Sequence, residues 1–452
     1  MRAGDPHIPT SELPMTFLPR LNLAPLDGLT LDRSTKGLPF DAPALRLGDV
    51  GDQGWNVLEG DLPMPVAIIR NDLVTANSAW MSAFTKANNL LIAPHGKTTM
   101  SPHLFDLQIA DGAWAITVAT IQQLEVCRRF GVGRVILANQ PIGTMAIDAC
   151  FRALRGDSRI ELYCLADSTE GLALLADGAR RTPPPKDNPL RVLVEIGFVG
   201  GRTGVRSPEE ALDIARAVVA IPGIALAGFE CFEGLLPTPR EADALIDAVA
   251  ATAGTALAEG LFDTADQPAD QIVISAGGSS FFDRVGERFD RAAFSQPVLR
   301  VLRSGCYLTH DSIGYASAFK RILSETTLQL PPGGLAAALE VWAYVQSRPE
   351  SGRAILTMGK RDVGIDTGMP VPLRWYRPGG GMPNPQDMPA DHVVRTLSDQ
   401  HCHLDIPPDS PLQVGDMVGF GNGHPCTTFD KWSMLLLVDE KYQVLQALKT
   451  FF

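Results

Sequence analysis

The chain has 452 residues, 45% hydrophobic and 20% charged, the balance of a globular protein too long for one ordinary core. A net charge of −12 disfavours nucleic acid and anionic membranes as partners, because either polyanion would be repelled. The opening Met1 to His7 lacks the apolar core of a signal peptide, and no apolar run reaches the ~20 residues of a membrane span. Seven scattered cysteines point to a reducing cytoplasm rather than to a disulfide framework.

Residues 1–60 are rich in Pro and Gly with little periodicity, and are expected to form an arm packed on another part of the protein. From Pro65 the pattern becomes short apolar runs separated by amphipathic segments. Val66 to Ile69 reads as a strand, followed by a helical stretch from Asn77 to Asn88. Further strands are expected at Leu90 to Ala93, Ala115 to Val118, Val135 to Ala138, Ile160 to Cys164, Arg191 to Ile196, Ala225 to Glu230, Ile272 to Ser275 and Val298 to Leu302. Helical spacing runs through Ile121 to Phe130, Thr169 to Arg180, Pro208 to Val219 and Arg240 to Glu259. Strands alternating with helices over residues 61–316 predict parallel α/β. Eight or nine such units favour a closed (β/α)8 barrel over a doubly wound open sheet. After about Ser317, the segments Arg321 to Leu330, Leu335 to Gln346, Arg353 to Thr357 and Met434 to Asp439 read as strands. Residues 317–452 are therefore expected to form a β-rich second domain, with Pro378 to Pro389 as a surface loop or lid.

Three features carry chemistry. The first is Ala93-Pro94-His95-Gly96-Lys97-Thr98-Thr99-Met100, which places Lys97 where an apolar strand gives way to a loop. A single lysine after a strand is ordinary. At the C-terminal edge of a barrel strand, partly desolvated and beside His95, its amine is suited to a Schiff base with a carbonyl cofactor. The second is Ser275-Ala276-Gly277-Gly278-Ser279-Ser280, after a late strand. Its glycines and serines can offer donors to a phosphate, although alone it is equally a plain turn. Arg303-Ser304-Gly305-Cys306-Tyr307 ends the next strand and could add amides to the same anion, while Arg202, in Gly200 to Val205, could hold an oxyanion. The third is Gly423-His424-Pro425-Cys426-Thr427-Thr428-Phe429-Asp430-Lys431-Trp432. Its imidazole and thiol are spaced to face one soft metal ion and to leave positions open for substrate and water. His401 and His403 are further candidates near that pair.

Pro94-His95-Gly96-Lys97-Thr98 and His424-Pro425-Cys426-Thr427-Thr428-Phe429-Asp430-Lys431 together resemble the D-threonine aldolase / D-serine dehydratase group of pyridoxal-phosphate enzymes. This group is the metal-activated branch of the alanine-racemase-like fold. The resemblance runs from about Pro65 to the C-terminus. It implies an N-terminal (β/α)8 barrel, a C-terminal β domain, and a homodimer in which the barrel of one subunit faces the β domain of the other.

Carried over by motif, Lys97 is the Schiff-base lysine beside His95, and Arg202 lies at the cofactor's phenolic oxygen. Gly277, Gly278 and Ser279 lie at its phosphate. Arg303 lies at the pyridine nitrogen, and His424 and Cys426 are ligands to Zn2+ or another divalent metal. Two positions depart from the group. Thr99 and Met100 stand where it usually has His and Lys, and Cys231-Phe232-Glu233-Gly234 stands where it tends to show a Tyr.

A cysteine as second ligand looks like the zinc-dependent dehydratases, whereas the aldolases resemble His-x-Asp. This implies elimination of water from D-serine or a related D-β-hydroxy amino acid, with D-threonine aldolase chemistry as the alternative. A cofactor carrier without activity, and a zinc barrel hydrolase without organic cofactor, are the readings from other classes.

Overall fold

The structure is a computed structural model that describes residues 17–262 and 271–452. The first strand after the arm is β1 (Val66–Arg70), followed by helix α1 (Asn71–Ala87). Eight short, almost fully buried strands come next: β2 (Leu91–Ile92), β3 (Ile116–Val118), β4 (Arg134–Leu137), β5 (Glu161–Ala166), β6 (Leu190–Glu195), β7 (Ile224–Glu230), β8 (Ile272–Ala276) and β9 (Val298–Leu302). Every pairing among them is parallel, in the order β2-β9-β8-β7-β6-β5-β4-β3.

The ring closes just beyond β2. His95 and Thr117 form a parallel bridge, and the amides of Trp114 and Thr117 donate to the carbonyls of Ile92 (2.8 Å) and Pro94 (2.9 Å). Inside the ring Ala93, Trp114, Ile136, Tyr163, Leu193 and Val273 form a small core of their own, which makes this a packed barrel rather than an open sheet.

A helix follows each barrel strand: α2 (Pro102–Ala110), α3 (Ile121–Phe130), α4 (Thr144–Gly156), α5 (Thr169–Arg181), α6 (Pro208–Val219), α7 (Pro239–Ala258), α8 (Phe282–Arg291) and α9 (Gly314–Glu325). Their starts are written locally. Thr120, Ser168, Ser207 and Thr238 each accept the amide three residues on, satisfying an otherwise orphan donor at the starts of α3, α5, α6 and α7. Pro102, Pro208 and Pro239 lose nothing at first helical positions, whose N–H has no intrahelical partner. Among the described residues no helix is long and apolar enough to cross a membrane.

The second layer is antiparallel. Its main strands are β10 (Leu339–Glu350), β11 (Arg353–Leu356), β12 (Val371–Tyr376), β13 (Val393–Leu397), β14 (Cys402–Asp405), β15 (Met417–Gly421), β16 (Met434–Val438) and β17 (Val444–Lys449). They pair as β12-β15-β10-β11-β14-β13, with β17 beside β16.

Two expectations are corrected here. The strand from Val66 is no barrel strand, because β1 inserts between β10 (antiparallel) and β16 (parallel) and so welds the chain's early part into the C-terminal sheet. The expected strand from Arg321 begins within α9. There Tyr315, Phe319 and Ile322 recur at helical spacing and bury against Trp80, Phe282 and His310, so tertiary packing decides the state. The arm touches both layers. The amide of Leu21 donates to Asp106 of α2 (2.8 Å), and Asn56 bridges to Gln443.

Candidate active site

Parallel barrels gather the C-terminal ends of their strands at one face, where loops can meet without disturbing the core. Lys97 sits on the 3-10 turn Gly96–Thr98 that follows β2, half-buried, and among the described residues its Nζ makes no hydrogen bond or ion pair. The turn is tightly built. A Cβ on Gly96 would lie 2.8 Å from Ile116, and one on Gly305, after β9, would lie 2.6 Å from the carbonyl of His95. The β2 and β9 loops are therefore in backbone contact.

His95 belongs to this packing. Burial, then the nearby Lys97, Arg303 and Arg202, holds its imidazole well below the usual range, so the ring is neutral and its Nδ1 has no partner among the described residues.

Three buried carboxylates, which the sequence reading did not single out, line the same end. Glu195 closes β6 and accepts from Gln140 Nε2 (2.5 Å) and Thr203 Oγ1 (2.8 Å). Glu230 closes β7 and pairs with the guanidinium of Arg303, and burial nevertheless pushes its carboxyl up to about 8. Glu233 accepts the amides of Gly277 (3.0 Å) and Gly278 (2.6 Å).

Glu233 corrects one expectation. The amides of Gly277 and Gly278 are already engaged by a carboxylate and are not open to a phosphate. Those of Ser279 and Gly305 have no partner among the described residues and remain available. Tyr307, beside Gly305, accepts from Gln108 Nε2 of α2 (3.1 Å) through its hydroxyl.

Arg303 is fully buried. It donates to Ser275 Oγ (2.8 Å) and to the carbonyl of Cys231 (2.9 Å), which leaves Nε as its unpartnered donor among the described residues. Arg202 is exposed and stacks at 5.0 Å on Phe232, within the stretch where the group tends to show a Tyr.

The third feature comes from the other layer. β15 ends at Gly421, and the next turn carries His424 and Cys426 to the Lys97 loop. Cys426 Sγ lies 3.4 Å from Thr98 Oγ1 and 3.8 Å from Cys306 Sγ, whose own neighbour is Ser279. All three sequence-predicted features thus meet through the chain of contacts Thr98, Cys426, Cys306 and Ser279.

The thiol of Cys426 is brought down to about 4, first by the Cys306 thiol against the opposing effect of burial, then by His424 and Thr98. His424 is raised to about 9, first by Cys426, with Asp366 adding to it. Its Nδ1 lies 2.5 Å from Asp366 Oδ2. Among the described residues no three His, Cys, Asp or Glu side chains form a metal-binding group, and His403 instead meets Ser398 (3.2 Å) on β14.

The residues fit the two groups the sequence implied. A carbonyl cofactor bearing a phosphate finds an unpartnered amine and open amides on adjoining loops. A divalent metal would have two protein donors here, Cys426 Sγ and the imidazole of His424, whose Nδ1 faces Asp366 Oδ2.

Known proteins share this fold. The chain is 24% identical over 340 residues to a 3-hydroxy-D-aspartate aldolase of Paracoccus denitrificans, covering 73% of this chain and 78% of that protein. The crystal structure of D-threonine aldolase from Filomicrobium marinum superposes with a TM-score of 0.70 at 22% identity, over 88% of this chain and 97% of that one. D-threo-3-hydroxyaspartate dehydratase from Delftia sp. HT23 does so with 0.66 at 21%, over 88% and 99%. Residues 338–438 match the family described as "Putative serine dehydratase domain". Residues 69–316, more than half of the chain, match the family described as "Alanine racemase, N-terminal domain". The chain belongs to this alanine racemase family, its barrel joined to a C-terminal β domain of the serine dehydratase type.

Proposed function

We propose that the chain is a pyridoxal-phosphate-dependent lyase of D-amino acids, which uses a divalent metal, zinc by preference, to eliminate water from D-serine or a related D-β-hydroxy amino acid. The observation that carries this reading is the contact of Cys426 Sγ with Thr98 Oγ1, 3.4 Å away and next in the chain to Lys97. It brings a soft metal ligand to the amine expected to hold the cofactor. When bound, the cofactor withdraws electrons from the substrate's α-carbon, and the metal adds Lewis acidity at a β-hydroxyl.

The remaining work falls to the chain. Lys97 Nζ, unpartnered and half-buried, takes the proton from Cα. The open amides of Ser279 and Gly305 would hold the phosphate, and Arg303, fixed by Ser275, Cys231 and Glu230, would offer its free Nε to the pyridine nitrogen. Neutral His95 packs the Lys97 turn without adding a second cation. His424 and Cys426 would hold the metal, whose Lewis acidity would act on the β-hydroxyl.

The family names of the curated relatives favour a second reading, retro-aldol cleavage, in which the same residues hold the hydroxyl while its proton is removed. Incubation with D-threonine separates them. 2-Oxobutyrate plus ammonia identifies the dehydratase, whereas glycine plus acetaldehyde identifies the aldolase. A purified chain without visible absorbance after incubation with the cofactor overturns both.

The apolar side chains Met145, at the start of α4, and Val199 and Leu235, on loops after β6 and β7, are 86%, 88% and 56% exposed and support the homodimer implied by the resemblance. Light scattering of the purified chain decides it.

A further inference from the structure

The turn carrying His424 and Cys426 does not stand alone. Residues 362–368, between β11 and β12, form a bed for it. The carbonyl of Asp362 accepts from Trp432 Nε1 (2.8 Å), the amide of Gly364 donates to Thr428 Oγ1 (3.1 Å), and Thr367 Oγ1 donates to the carbonyl of Gly423 (2.6 Å). The approach is close enough that a Cβ on Gly364 would sit 2.1 Å from Thr427 Oγ1. At the centre of this bed is one carboxylate with both oxygens engaged. Asp366 Oδ2 faces His424 Nδ1 at 2.5 Å, and Oδ1 accepts from Thr427 Oγ1 at 2.6 Å.

We propose that Asp366 is the positioning residue of the metal pair, fixing the His424 tautomer in which Nδ1 carries the proton and Nε2 is left to bind metal beside Cys426. This rests on the reading of His424 and Cys426 as metal ligands. An imidazole can present either nitrogen, and free rotation would spread it over orientations that do not face the thiolate. An acceptor at Nδ1 selects one tautomer and one ring orientation, and its negative charge makes Nε2 a stronger donor. Thr427 has a complementary part. By holding Oδ1 it keeps the carboxylate from turning away from the ring, so the hard oxygen stays behind His424 and the soft sulfur stays in front of it.

The test uses the full chain, stripped with chelator and titrated with Zn2+ against a chromophoric competitor, and with Co2+ to read the ligand field. D366A should weaken Zn2+ binding by about tenfold to a hundredfold. D366N, whose amide oxygen can still accept from Nδ1, should recover part of that loss. Cofactor absorbance and the unfolding midpoint should match those of the parent chain in both variants. Parent-like Zn2+ affinity in D366A overturns the role of Asp366 alone. Equal losses in both variants, with a lowered unfolding midpoint, overturn it in favour of a structural role. No Zn2+ binding by the parent chain, or parent-like binding by H424A, overturns the ligand reading and this inference together.

Discussion

Cys426 Sγ, delivered by the C-terminal domain, lies 3.4 Å from Thr98 Oγ1, the side chain next to Lys97 on the barrel. One contact therefore joins the site's two halves across the domain boundary. Thr98 is among the groups that lower the Cys426 thiol, after Cys306 and His424. Replacing Thr98 with Val removes that hydrogen bond at nearly constant volume. The loss of one such bond, about 1 kcal/mol, should weaken Zn2+ binding roughly fivefold. Competitive titration measures it, and cofactor absorbance should be unaffected.

Lys97 makes no polar contact of its own among the described residues, so its replacement should cost little stability. Lys97→Ala should abolish the visible absorbance of the cofactor-loaded protein. Turnover should fall by at least about a hundredfold, the usual contribution of a positioned general base. Steady-state kinetics with an absorbance scan checks both, and retained turnover would remove Lys97 from the role assigned to it.

Much of the fold was legible because burial imposes periodicity. The eight barrel strands are apolar runs of two to seven residues, and four of the helices announce themselves with Ser or Thr caps. What could not be read was which sheet a strand would join. Val66 to Arg70 is buried on both faces like a barrel strand, yet its partners lie some 270 and 370 residues further on, in β10 and β16.

The site divides the same way. Lys97, His424 and Cys426 stood out because their local motifs carry chemistry. Glu233 did not, because its target amides at Gly277 and Gly278 are 44 and 45 residues away. Asp366 lies 58 residues from His424 in a loop with no signal of its own. A usable signal was missed in β6 and β7: both apolar strands end in Glu, at the barrel edge where polar groups serve function.

The metal preference should follow the ligand. Cys426→Asp exchanges a soft thiolate for a hard carboxylate at the same spacing. Affinity should move away from Zn2+ and toward Mn2+ or Mg2+, with the Zn2+-to-Mn2+ affinity ratio falling by about tenfold or more. Metal analysis after dialysis against equal concentrations of the ions reads the change. A ratio equal to that of the parent chain would mean that sulfur does not contact the metal.

Gly228 tests the barrel wall. Its φ is +143°, and a Cβ there would lie 1.8 Å from the carbonyl oxygen of Val273 on β8. Neither strand can yield without breaking the β7–β8 ladder. Gly228→Ala should therefore destabilise the chain by about 4 kcal/mol or more, in the range reserved for core disruption. Urea denaturation of the two proteins measures the difference.

The opposite end of the barrel should set part of the acid sensitivity. Arg134 on β4 holds Glu161 on β5 through two bonds of 2.8 Å, while donating to the carbonyl of Trp114 (3.0 Å) and lying over its ring. Burial alone would raise the Glu161 carboxyl. The hydrogen bonds and charge of Arg134 outweigh it, and the folded-state value is lowered. A lowered acid contributes stability that is complete above its unfolded value, near 4.3, and that is lost as pH falls through the folded value. Denaturant midpoints followed from pH 7 downward should therefore decline below about pH 5. In Glu161→Gln, which cannot titrate, the decline should be shallower and the neutral-pH midpoint lower. Because this pair lies at the foot of the barrel, away from Lys97, turnover at neutral pH should match that of the parent chain, whereas an altered turnover would show that the two ends of the barrel are coupled.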